Sequence, residues 1–473
     1  MALFRRSGLI ATAMLLLLSL SAGSAGGAVR SIRSTAMGPH LSDGDGLHLD
    51  AEQQLDPRLL ALTFTTPALA NPVNVRVLLP SGYAADPTRH YPVLYLFDGT
   101  SGRASDWTTF GDAEQTTAGL PLIVVMPDIT YNGNGGGWCT NSVNGGKYGP
   151  PEWETFHIDE LIPWVDRNFH TIASRDGRAI AGLSQGGFCS MSYAAQFPDL
   201  FITALAFSGA PDIAYDPVAQ AGATAIINAT EVGLDGVPPD SLFGNPLTDE
   251  INWAAHDPAT LANNLRGMNL MLYNGNGLPG PLDTQLNLEG SLIEGAVGVD
   301  NQYFHRRLVA LKIPNYWDPY GPGTHSWPYW TRDLQESIGS VMYDFAHPPA
   351  APAAVTYTSA SPEYTEFGWT VAIDRVAEEF STLQNANADG FALSGSGSAI
   401  VKTPPDFQPG RQYTVRFHGA SFTLSGTTTA DKAGSLTLIV PLGPPNPFQE
   451  FTLNALATGT KSYTTTVEIR ART

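Results

Sequence analysis

Cations are scarce in this chain. It has 25 lysines and arginines against 44 aspartates and glutamates, a formal charge of −19. A surface that tracks phosphates needs clustered positive charge, so nucleic acid is excluded as a partner. Acidity of this kind suits a soluble exported protein. Cysteine is nearly absent as well. Cys139 and Cys189 are the only two, which is too few for a disulfide scaffold, so the fold must rest on its hydrophobic core; the two thiols either pair or lie buried and free. No cysteines and histidines share metal-ligand spacing, and the glycine-rich run Asn132–Trp138 lacks the lysine and spacing of a phosphate loop. Neither a metal nor a cofactor is implied, and that run reads as a flexible loop over a site. There is no internal repeat. After the first 20 residues no segment is long and apolar enough to span a bilayer.

What is present begins with a leader pattern. Arg5-Arg6 is followed by an apolar run to Leu20 and by small residues from Ser21 to Ala28. This is the order of a secretion signal, with cleavage expected between Ala25 and Ala28. Residues 1–28 are therefore expected as signal peptide and 29–46 as a flexible segment. The mature protein is expected to be secreted, extracellular or cell-wall associated, with no integral membrane segment. From Leu47 strand and helix patterns alternate, which implies a mostly parallel sheet covered by helices. Strand patterns lie at Leu60–Thr65, Val73–Leu79, Val93–Phe97, Leu122–Pro127, Arg178–Leu183, Ala204–Ser208 and Leu270–Asn274. Ile158, Leu161, Ile162, Val165 and Phe169 make one apolar helix face. Near Phe345 the pattern stops. Residues 347–355, rich in Pro and Ala, read as a linker, and 356–473 as an all-β, immunoglobulin-like sandwich, because β-branched alternation such as Tyr413, Val415, Phe417 meets frequent turn signals. The catalytic unit is expected over 47–346 with an α/β-hydrolase fold.

The chemistry centres on Gly182-Leu183-Ser184-Gln185-Gly186. A strand precedes this G-x-S-x-G and a helix pattern follows it, the context of a nucleophile elbow. A serine hydroxyl needs a base. In this fold the acid and then the histidine follow the serine along the chain. Five histidines follow Ser184. His347 abuts the linker, His418 lies in the β-region, and His256 and His305 have helix-like surroundings. His325 stands on a loop, Gly323-Thr324-His325-Ser326-Trp327, where an imidazole can approach the serine. For the acid, Asp283, Glu289 and Glu294 all lie in the right interval and spacing does not choose. The oxyanion hole needs two N–H donors; Gln185 and Thr100, in the loop after Val93–Phe97, are the candidates.

At these residues the chain resembles the secreted mycolyltransferases of the antigen 85 family, within the wider esterase D-like superfamily. The matching segments occur in family order: Leu94-Tyr95-Leu96-Phe97-Asp98-Gly99, Trp153-Glu154-Thr155-Phe156, Gly182-Leu183-Ser184, Asn274-Gly275-Asn276-Gly277 and Thr324-His325-Ser326-Trp327. The resemblance implies Ser184 as nucleophile, His325 as base, Glu294 as acid, and Thr100 and Gln185 as oxyanion donors. It implies Asp98 and Trp327 as sugar contacts, with Arg103 taking the role of a family arginine; Trp138, in the glycine-rich loop, is a further substrate-binding candidate. The function it implies is acyl transfer from an acyl-lipid or acyl-sugar, through a Ser184 acyl-enzyme, to a sugar hydroxyl such as that of trehalose or a cell-wall glycan. The alternatives are a secreted ester hydrolase that uses water, and a non-catalytic wall- or matrix-binding protein. The β-region lies outside the resemblance to the short family members.

Overall fold

A computed structural model describes residues 39–472 apart from 131–132 and 145–150. The expected signal peptide lies outside the described residues. A nine-stranded sheet forms the larger part. Its strands are β1 His48–Gln54, β2 Leu59–Thr65, β3 Val73–Leu78, β4 Val93–Phe97, β5 Ile123–Pro127, β6 Arg178–Leu183, β7 Thr203–Phe207, β8 Asn269–Gly275 and β9 Tyr316–Gly321. They run in the order β1-β2-β3-β5-β4-β6-β7-β8-β9. The first three are joined by antiparallel pairing and β3 meets β5 antiparallel; from β5 to β9 every pairing is parallel. This is an α/β-hydrolase-like fold.

The sheet is buried on both faces, which is why its central strands read as unbroken apolar runs. Val93, Tyr95 and Phe97 of β4 join one core with Val125, Ile180 and Phe188. Leu94 and Leu96 point the other way, into a second core with Val124, Ala181, Leu183 and Trp330. The seven strands expected from sequence are the interior seven. The two missed, β1 and β9, are the edges.

Two expectations differ in detail. The apolar face from Ile158 to Phe169 is buried throughout. Its first half, Thr155–Leu161, winds as a wider π-helix before the α-helix Ile162–Asn168. Residues 39–46 were expected to be flexible but are tied down. Trp164 donates its indole N–H to the Ser42 carbonyl at 2.8 Å, and Arg167 pairs with Asp45.

After the helix Trp327–Ala346 the chain builds two antiparallel sheets. One contains β10 Val355–Ser359, β13 Ser381–Asn387, β14 Gly390–Gly395, β16 Gln412–His418, β17 Thr423–Thr429 and β19 Tyr463–Ala471. The other contains β11 Glu363–Glu366, β12 Trp369–Asp374, β15 Ser398–Lys402 and β18 Thr437–Pro441. Between them lies a separate core that includes Trp369, Leu383, Val401, Val415 and Val467. The β-region also touches the larger part. Tyr357 donates its hydroxyl to the Gln196 carbonyl at 2.6 Å. The Asn264 side chain bonds both the N–H and the C=O of Thr358, each at 2.9 Å.

Candidate active site

Ser184 ends β6 and begins the helix Gln185–Gln196 with φ of 52°. A non-glycine residue in this left-handed region is strained, and the surrounding packing holds it there. The flanking glycines make the turn possible. A Cβ on Gly182 would lie 2.3 Å from the Gly186 carbonyl oxygen, and one on Gly186 would lie 2.1 Å from that of Asp98. No larger residue fits either position. The turn lifts the hydroxyl clear of the sheet and points the helix N-terminus at the space beside it.

His325 reaches that hydroxyl. Its Nε2 lies 2.8 Å from Ser184 Oγ and its Nδ1 lies 2.7 Å from Glu294 Oε2. With the Nδ1 proton facing the carboxylate, Nε2 accepts from the serine hydroxyl. Glu294 comes from the first turns of the long helix Leu288–Ala310 and is fully buried. Of the three acids the sequence left open, Glu294 alone meets the imidazole. Asp283 instead braces the histidine loop. It accepts hydrogen bonds from Thr324 Oγ1, the Tyr329 hydroxyl and the Gly280 N–H. Burial raises its pKa, but these bonds outweigh it and hold the carboxyl below its usual value. Glu289 is exposed in the first helical turn. His256 is bound to the Asn252 carbonyl and Thr140, and His305 stacks on Trp317 with centroids 4.4 Å apart. Both are packing residues.

The oxyanion candidates are joined through their side chains. Thr100 Oγ1 donates to Gln185 Oε1 at 2.8 Å, which ties the loop after β4 to the first residue of the nucleophile helix. The Gln185 N–H belongs to the first helical turn, where amides have no acceptor within the helix.

The expected sugar contacts sit differently. Asp98 is only 3% exposed and spends its oxygens on its own loop, accepting the N–H groups of Gly99 and Arg103, each at 2.7 Å. Burial pushes its pKa well above the usual carboxylate range. It is a brace for the Thr100 loop rather than an open contact. Trp138 is likewise buried. Its ring packs on Phe188 at 5.4 Å, inside the core rather than on an open rim. Arg103 is exposed, and Trp327 is half-buried, edge-on to Trp107 at 5.3 Å.

The described part of the glycine-rich loop is anchored, not free. Cys139 and Cys189 form a disulfide, which staples the loop to the nucleophile helix. Trp153 donates its indole N–H to the Gly135 carbonyl at 2.9 Å. Trp153 also stacks on His157, which bonds the Tyr193 hydroxyl and the Asp128 carbonyl at 3.0 Å each. Burial pushes the pKa of His157 down to about 3, so this ring is a neutral strut. His157 and Ser208 are missed in the sequence, because they carry no motif of their own; Ser208 and Trp330 stand behind Glu294. Among the described residues, no group of acidic, histidine or cysteine side chains has the arrangement of a metal site.

This geometry can take a proton from an alcohol, hold the resulting imidazolium against a buried carboxylate, and offer N–H donors to an oxyanion. The family model and the curated relatives are of the same broad class, esterases and acyltransferases. The model of a family described as putative esterase matches residues 66–340. The chain belongs to that esterase family. An esterase of Mycobacterium tuberculosis is 37% identical over 276 residues, covering 58% of this chain and 57% of the relative; the match thus spans little more than half of that protein's length. Diacylglycerol acyltransferase/mycolyltransferase Ag85A of Mycobacterium ulcerans is 28% identical over 337 residues, 67% of this chain and 95% of the relative. The solved structure of Mycobacterium tuberculosis MPT51 aligns with 60% of this chain and 97% of its own, at 24% identity and a TM-score of 0.48.

Proposed function

We propose that the protein is a serine ester hydrolase or acyltransferase that works through an acyl-enzyme on Ser184. The observation that carries this reading is the continuous hydrogen-bonded line Ser184–His325–Glu294. As Ser184 Oγ attacks an ester carbonyl, its proton passes to His325 Nε2. Glu294 orients the ring and stabilises its positive charge. The N–H groups of Thr100 and Gln185 receive the developing oxyanion. Collapse of the tetrahedral intermediate expels the alcohol, which takes its proton from His325. The incoming acceptor then repeats the steps in reverse.

Water is the acceptor we favour, in line with the relative named esterase. Transfer to a sugar hydroxyl such as that of trehalose is the second reading. It is favoured by the mycolyltransferase relative, which aligns over nearly its whole length, and by the Thr324-His325-Ser326-Trp327 and Trp153-Glu154-Thr155-Phe156 segments. In it, Trp327 and Arg103 flank the acceptor. We also propose that the enzyme is exported by the leader at 1–28, that 47–346 is the catalytic unit, and that 356–473 is an accessory β-domain. No helix among the described residues is long and apolar enough to cross a membrane. The test is turnover of a p-nitrophenyl ester with and without trehalose, with products read by mass spectrometry. Free acid alone supports the hydrolase, and an acyl-trehalose supports the transferase. No turnover of any ester contradicts both.

A further inference from the structure

Behind Glu294 lies a second hydrogen-bonded line. Ser208, the residue after β7, is fully buried and has φ of 49°, a strained value for a residue with a Cβ. Its N–H is fixed to the Tyr273 carbonyl at 2.7 Å, so the backbone has no slack. Its hydroxyl lies 2.9 Å from Glu294 Oε1. The same hydroxyl lies 3.2 Å from Trp330 Nε1. An indole nitrogen only donates. The order is therefore set: Trp330 donates to Ser208, and Ser208 donates to Glu294. The Gly275 N–H donates to the same Oε1 at 2.6 Å, while Oε2 faces His325. The Trp330 ring also stands edge-on to the His325 ring, centroids 4.9 Å apart. One tryptophan thus touches the imidazole with its ring and, through Ser208, fixes the carboxylate that orients that imidazole.

We propose that Ser208 and Trp330 are positioning residues that hold Glu294 with one oxygen occupied and the other aimed at His325 Nδ1. Without them Oε1 keeps the Gly275 N–H and the longer Tyr320 contact but loses a donor, and the carboxylate shares its charge differently between its oxygens. Hydrogen-bond lines of this kind polarise one another, so the effect reaches Ser184 although neither residue is hydrogen-bonded to it among the described bonds. The other titratable groups facing Glu294 are Tyr320 of β9, whose hydroxyl lies 3.5 Å from Oε1, and Asp333 with its partner Arg332 on the helix Trp327–Ala346. Asp283 acts on His325 through Thr324. All of these are kept in the variants below.

The inference rests on the acyl-enzyme reading, and the experiment separates the two. Ser208→Ala, Trp330→Phe, the double variant and Glu294→Gln are compared on a soluble p-nitrophenyl ester across pH. Trp330→Phe keeps a ring against His325 and removes only the N–H. Ser208→Ala is expected to lower kcat roughly 10-fold with KM unchanged, the scale of one lost hydrogen bond to a charged group. With one donor fewer, Glu294 holds a proton on the imidazole more firmly. The acidic limb of the kcat/KM profile is therefore expected to move up by roughly half a pH unit. Trp330→Phe should show a smaller loss and a shift of the same sign, and the double variant should be little worse than Ser208→Ala. If Ser208→Ala is too unstable to isolate, Trp330→Phe alone carries the test through its pH shift. Wild-type kcat and an unmoved limb, with Glu294→Gln inactive, overturn the positioning roles and leave the acyl-enzyme reading standing. Full activity in Glu294→Gln overturns that reading itself.

Discussion

The serine, the histidine and the glutamate of this site arrive from three separate stretches of chain, and each is held by a different device. Ser184 is held in its strained turn by close packing around two glycines that tolerate no Cβ. Glu294 is held by burial and hydrogen bonds from Ser208 and Gly275. His325 is held by Thr324, which Asp283 binds, and by its own N–H, bonded to the Gly290 carbonyl at 3.0 Å. If the three act as one unit, as proposed, single losses should not add. Ser184→Ala and His325→Ala are each expected to lower kcat at least about 10⁴-fold, with the double variant no worse than a few-fold beyond either. His305→Ala should stay near wild type; the reverse pattern would transfer the base to His305. At this scale the sequence was legible where a residue type carries its own chemistry. Ser184 and His325 could be named from motif and loop context. Spacing left three carboxylates open for the acid; the resemblance implies Glu294, and the packing of the helix Leu288–Ala310 is what sets that one against His325. Asp98 and Trp138 are substrate-contact candidates by sequence, whereas the fold buries both; a sequence does not show which side of a loop faces solvent.

Among the elements, the interior strands were legible and the edges were not, for one physical reason. A strand buried on both faces must be apolar throughout, as in Val93–Phe97. An edge strand has one neighbour and a partly wet surface. β1 therefore reads His48-Leu49-Asp50-Ala51-Glu52-Gln53-Gln54, and β9 carries Asp318-Pro319 in its middle. Neither has a periodicity to find. The disulfide belongs to this scale too. It links residues 50 apart and pins the glycine-rich loop to the nucleophile helix. Replacing both cysteines by alanine should lower unfolding stability by roughly 2–4 kcal/mol, read by denaturant titration. A change under about 0.5 kcal/mol would mean that the loop is held by its other contacts, Trp153, Trp138–Phe188 and the hydrogen bonds to Asn71, without the disulfide.

Across the whole molecule, the β-region has its own core yet is hydrogen-bonded to the larger part through Tyr357, Thr358 and the Pro349 carbonyl, which accepts from Arg175. A chain ending at Pro349 should still turn over a soluble ester, because no β-region residue contacts Ser184, His325 or Glu294 among the described bonds. Its thermal midpoint should fall by several degrees, since Asn264 loses both bonds to Thr358 and keeps only the one to the Ala195 carbonyl. Loss of all turnover in a folded, truncated protein would give the β-region a part in the site.

Stability should also depend on pH in an unusual direction for an acidic protein. Burial pushes the pKa of the Asp333 carboxyl up to about 8, against the pull of Arg332. Between the ordinary carboxylate value near 4 and this raised value, the folded chain holds a proton that the unfolded chain has released. Stability is therefore expected to fall as pH rises through that window. Thermal melts at pH 5 and pH 8 should show the higher midpoint at pH 5, and Asp333→Asn should reduce the difference. An equal or larger difference in Asp333→Asn would assign the effect to other buried acids.

The central claim is that Ser184 is a nucleophile activated by His325. The most direct measurement is covalent labelling with an organophosphonate ester, read by intact mass and peptide mapping. The expected result is one adduct, on the peptide carrying Ser184, formed at a rate that collapses in His325→Ala. An adduct on another residue, or labelling of Ser184 that is indifferent to the loss of His325, would contradict it.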